Sequence, residues 1–128
     1  MTKSQTINHW ITSAKEDVDT AKLLFDGKKY SYCLFFCQLA IEKFLKAIYI
    51  KQSDNAPPIT HDLFKLAQLT GISLDEKLTE LLREITTFNI EARYDIHKLR
   101  LYKKATKVYT QTYLLHTENI IKLLTTYL

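Results

Sequence analysis

The stretch that decides the fold is "SYCLFFCQLAIEKFLKAIYIK", residues 31–51. Cys33, Cys37, Ala40, Phe44 and Ala47 recur at three- and four-residue steps and form one seam of a helix; Leu34, Ile41, Leu45 and Ile48 widen it. So broad an apolar face predicts a central helix touched on more than one side. A polar row, Gln38, Glu42 and Lys46, runs beside the seam at i, i+4 and i+8. Glu42 four residues before Lys46 is the favourable order for an ion pair. We expect these three to be structural polar groups.

Working towards the N-terminus, "DGKKY" at 26–30 supplies a glycine at a helix end and lysines suited to the negative end of the helix dipole. Before it, residues 7–26 predict a first helix with Trp10, Ala14, Ala21 and Leu24 on one face. Asp17 falls on that stripe. A carboxylate there must find a donor, so we expect a buried structural acid bound to Arg93 or to a cation of the second helix.

Working towards the C-terminus, "QSDNAPPIT" at 52–60 is a loop, because Pro57-Pro58 cannot continue a helix. Thr60 is the expected cap of a short helix, "HDLFKLAQL", with Leu63, Leu66 and Ala67 inward; His61 positions its start and Gly71 closes it. "SLDE", 73–76, reads as a capping box of Ser73 with Glu76. A fourth helix follows, with Leu78, Leu81, Ile85, Phe88 and Ala92 as its stripe. A last helix over about 103–127 carries Ala105, Tyr109, Tyr113, His116, Ile120, Leu123 and Tyr127 near one face. The expected fold is all-α, an up-and-down four-helix bundle with one additional short helix, in a single domain over 1–128. The scarcity of turn residues, two Gly and two Pro, agrees with that.

Cys33 and Cys37 are expected to be small buried apolar groups. Adjacent turns of one helix strain a disulfide, and no ligand set completes a metal site. Reduced thiols, no apolar segment of signal-peptide length and no bilayer-spanning run give the expectation of a soluble cytoplasmic protein. No cofactor and no metal are expected. Nothing resembles a phosphate-cradling glycine loop or a paired-carboxylate site. The eight tyrosines read as core and interface groups.

The chain carries 18 Lys and Arg against 14 Asp and Glu, and this excess is local. Between Arg93 and Lys107 six cations (Arg93, Lys98, Arg100, Lys103, Lys104, Lys107) face a single acid, Asp95. A phosphate-bearing partner senses such a field. Arg93, Tyr94, Lys98, Arg100, Lys103 and Lys104 are therefore the expected phosphate-binding residues, with Tyr94 and Tyr102 available to face a base.

Four fragments in this order, "AKEDVDTAKLL" (14–24), "CQLAIEKFLKA" (37–47), "THDLFKL" (60–66) and "ARY" (92–94), together resemble the HEPN domain. The resemblance covers nearly the whole chain. It implies a helical bundle that dimerises. It also implies one of two functions. The first is a nucleotide- or RNA-binding or interaction module working beside a minimal nucleotidyltransferase in a toxin–antitoxin-like pair. The second is a metal-independent RNA endonuclease, whose family motif is an Arg followed after four to six residues by a His. Here His97 follows Arg93 after three. On the endonuclease reading His97 is the base or acid and Arg93 stabilises the developing charge. A homodimer, a nucleotidyltransferase partner, and RNA or nucleotide as ligand are the expected partners, with no membrane.

Overall fold

Apolar periodicity and capping divide the described residues into six helices in this computed structural model: α1 (Lys3–Asp26), α2 (Tyr30–Gln52), α3 (Leu63–Thr70), α4 (Glu76–Arg93), α5 (Asp95–Lys104) and α6 (Lys107–Thr125). The structure describes residues 1–93 and 95–128, and of Ile96 the backbone alone. The four long helices α1, α2, α4 and α6 build the bundle, and α3 and α5 are short. Among the described residues no helix is long and apolar enough to cross a membrane.

Helix α2 is the axis of the molecule, in contact with every other helix. Its seam residues Cys33, Cys37, Ala40, Phe44 and Ala47 are buried, and so are Leu34, Ile41, Leu45 and Ile48. Burial of so many aliphatic side chains, each contributing about 1.5–3 kcal/mol when fully removed from water, makes α2 the main source of cohesion. Cys33 and Cys37 are free and buried.

Local chemistry sets the helix ends, and several differ from the expected ones. Helix α1 begins four residues earlier than the pattern predicts, because Thr2 and Gln5 form a reciprocal capping box. Helix α3 is capped by Asp62, whose carboxylate accepts from the Lys65 N–H at 3.2 Å; Thr60 instead accepts from the Asp62 N–H. Gly71 closes α3 at φ 71°, a left-handed conformation that a Cβ would strain. At α4 the capping bond comes from Asp75, which accepts from the Leu78 N–H at 2.7 Å, in place of Ser73.

The largest difference lies after Arg93. The segment between the fourth and last expected helices, to which the apolar pattern assigns no element, contains a separate helix, α5. Lys104, at its far end, lies 3.2 Å from Glu91 and 3.8 Å from Glu84. In one straight helix Lys104 and Glu84 would stand about 30 Å apart. Helix α5 therefore runs back along α4. Thr106 then caps α6 by accepting from the Tyr109 N–H. The inner face of α6 is also turned from the expected one. Thr110, Leu114, Thr117, Ile120 and Leu124 are buried, and Leu123 is exposed. Threonines can face inward here: Thr117 donates its hydroxyl to the Tyr113 carbonyl one turn earlier.

Asp17 is buried, and its partner belongs to α2: Lys43 Nζ lies 2.7 Å from Asp17 Oδ2 and donates to Ser13 Oγ. Arg93 takes no part. Removing one member of a buried pair leaves the other uncompensated. Asp17→Ala is expected to cost about 3 kcal/mol in chemical denaturation, and Asp17→Ala with Lys43→Met distinctly less. A single variant as stable as wild type would show that the pair contributes nothing.

Candidate functional site

Two constructions lie outside the apolar core. The first is a buried chain of polar side chains between α2 and α4. Arg93 Nε donates to Asn89 Oδ1 at 2.7 Å, Asn89 Nδ2 to Gln38 Oε1 at 2.8 Å, and Gln38 Nε2 to Glu42 Oε1 at 3.0 Å. Every bond points towards the Glu42 carboxylate. Lys46 Nζ donates to its other oxygen at 3.0 Å, and His61 Nδ1 lies 2.8 Å from Oε1. Gln38 also donates to the His61 carbonyl at 3.1 Å. The row Gln38, Glu42 and Lys46 read from the sequence is thus one network with His61. Asn89, which sequence reasoning missed, joins it to Arg93. The available signal was an amide on the core stripe of α4, four residues before an arginine.

Burial pushes the Glu42 carboxyl upwards, but hydrogen bonds from Gln38, His61 and Lys46 together outweigh it and hold the group below its ordinary range. At Tyr109 burial and a hydrogen bond to Glu84 both push the phenol upwards.

The second construction is a cavity of about 680 Å³ between the α1–α2 turn and α5. Four lysines line it: Lys28 and Lys29 from the turn, Lys98 and Lys103 from α5. Tyr30, Tyr32 and Tyr102 supply rings, Ser31 and Thr106 hydroxyls, and Ala92, Leu101 and Ala105 the floor. Among the described residues no carboxylate lines it. Lys28 has φ 60°, uncommon for a residue with a Cβ, in the turn that carries it to the cavity. No side chain caps the start of α2, so its first N–H groups add to the positive field.

Of the residues expected to bind phosphate, Lys98 and Lys103 line this cavity and Arg100 is exposed elsewhere on α5. Lys104 turns away to Glu84, Glu91 and Thr87 and clamps α5 to α4. Tyr94 lies outside the described residues. Arg93 ends α4, beside the Phe35 ring at 5.8 Å, and neither Asp17 nor Glu42 is its partner. His97 lies in the first turn of α5, beyond the reversal, so a continuous helix does not bring it onto the face of Arg93. The contribution of Lys28, Lys29, Tyr30 and Tyr32 was not legible, because they lie more than sixty residues from the basic segment in sequence. Among the described residues no cluster of three metal-ligating side chains occurs.

The HEPN domain matches residues 7–127. The chain belongs to the HEPN family. No curated protein matches its sequence. Among solved structures, this HEPN chain superposes on the crystal structure of TT1696 from Thermus thermophilus with a TM-score of 0.80 at 18% identity, over 95% of this chain and 98% of that one. Such identity establishes a shared fold, and the nearly full coverage of both chains extends it to the whole HEPN bundle.

The depressed Glu42 pKa has a definite consequence. The ionised form is favoured by folding, so its contribution is present above the ordinary carboxylate range and is lost as the pH falls through it. Stability is expected to decline on acidification below about pH 4.5, the ordinary Glu value. Glu42→Gln should flatten that part of the profile while lowering stability at pH 7. Denaturant midpoints measured from pH 3 to 7 check both.

Proposed function

We propose that this HEPN chain is a nucleotide- or RNA-binding module that holds phosphate in the lysine-lined cavity and acts as a homodimer beside a nucleotidyltransferase partner. One observation carries the reading: four lysines and three tyrosines converge on one cavity with no carboxylate in its described lining. A cavity of this size suits a nucleotide-sized ligand. The lysines supply charge for phosphate and the tyrosines supply faces for a base. Lys98 also meets Asp95 at 3.0 Å, but both are largely exposed, and such a pair contributes little and exchanges readily.

Support for a homodimer comes from α6. Val108, Leu115 and Leu123 are exposed on its outer side, at successive turns of one stripe with Thr112 and Asn119. An isologous contact through this stripe buries it in both copies. Sedimentation at micromolar concentration should give a dimer, and Leu115→Glu should give a monomer of unchanged helicity. A wild-type monomer would remove the dimer from the reading. The partner rests on the family resemblance, and co-purification with a nucleotidyltransferase encoded beside it tests that association.

Lys98→Glu with Lys103→Glu is expected to lower nucleotide or RNA affinity at least tenfold and to reduce its dependence on salt. Arg100→Glu, exposed but outside the cavity, should have a much smaller effect. Titration at 50 and 200 mM salt provides both readouts. A binding module leaves the RNA intact during these titrations, whereas the endonuclease alternative shortens it.

A further inference from the structure

The polar chain between α2 and α4 is costly for a structural device. Well-packed apolar side chains in place of a buried ion pair are often neutral or stabilising. Two of its members, Arg93 and His61, reach the surface. Half of the His61 side chain is exposed, while the Glu42 side chain that holds it is 7% exposed. An ionised carboxylate only accepts hydrogen bonds. The His61–Glu42 contact therefore places the imidazole proton on Nδ1, and the neutral ring offers Nε2 outward as an acceptor.

His61 lies between two arginines along α4. Leu63, two residues on, donates to Thr86, and Gln38, bonded to the His61 carbonyl, is bonded to Asn89. Thr86 and Asn89 both fall between Arg83 and Arg93. Arg83 lies over the Phe64 ring at 4.4 Å, as Arg93 lies beside Phe35 at 5.8 Å. Both arginines are exposed. Among the described residues neither forms a salt bridge with a carboxylate. Ten residues separate them, about 15 Å along the axis, a span that takes more than one backbone phosphate of an extended strand.

We propose that this α3–α4 face binds single-stranded RNA, with Arg83 and Arg93 on its phosphates and His61 Nε2 accepting the 2′-hydroxyl of a ribose between them. The 2′-hydroxyl is the hydrogen-bond donor that an RNA backbone has and a DNA backbone lacks. An outward acceptor between two cations thus selects ribose. The face is separate from the lysine cavity and shares with the preceding reading only the class of ligand.

The test is fluorescence anisotropy with a labelled oligouridine RNA and its deoxyuridine counterpart at pH 8 and low salt, with thermal melts confirming that each variant is folded. Wild-type protein should prefer RNA roughly threefold to tenfold, the worth of one hydrogen bond. His61→Ala should bind the two strands equally. Arg83→Gln with Arg93→Gln should weaken both strands alike and keep the preference. Lys98→Glu with Lys103→Glu should likewise leave the ratio unchanged, which separates this face from the cavity. Equal wild-type affinity for RNA and DNA, binding of neither, or a preference that survives His61→Ala overturns the proposal.

Discussion

The structure depends on how α2 is buried. Helix α2 touches each of the other five described helices, and Gln38, Glu42 and Lys46 lie on its buried side. Each must be satisfied within the protein or the helix cannot occupy the centre. Glu42 receives Gln38, Lys46 and His61, and Gln38 passes the requirement to Asn89 on α4. This demand fixes the approach of α4 and of the loop before α3 to the central helix. Shape alone would leave those neighbours free to slide along an apolar seam.

A second polar anchor, Lys104, does the same for α5. Its ammonium lies between Glu84 and Glu91 and 5.4 Å from the Phe88 ring centre. Leu101 of α5 is also buried in the core, while Leu99 and Tyr102 are exposed. The reversal after α4 thereby brings Lys98 and Lys103 opposite the α1–α2 turn, and the cavity exists because of it. A lysine counted among the phosphate ligands from sequence thus supports the site by holding α5 in place.

The two constructions differ in chemistry. The cavity uses lysines, compact and rotatable charges suited to phosphate of many orientations. The α3–α4 face uses arginines beside aromatic rings and a histidine on a carboxylate, groups whose orientation is set by their neighbours. One suits non-specific charge and the other suits recognition of a particular atom. Helix α2 supports both, through Tyr30 and Tyr32 at the cavity and through Gln38 and Glu42 behind the α3–α4 face.

The sequence by itself determined what depends on near neighbours along the chain. The seam of α2, the Pro57-Pro58 break, the closure of the short helix at Gly71 and the bundle of four long helices follow from periodicity and backbone restriction, and the four quoted fragments already resembled the family to which the chain belongs. Buried Asp17 was also legible, because a carboxylate on an apolar stripe must be neutralised wherever the stripe faces. Tertiary structure decided the rest, since charge composition carries no direction. Six cations in one segment look alike in sequence, but a chain reversal sends Lys98 and Lys103 to a cavity and Lys104 to two carboxylates. It also separates His97 from the helix that ends in Arg93, while Asn89 and Gln38 link that arginine to His61, thirty-two residues away in sequence. Such links form through space, between side chains whose spacing along the chain has no period to read.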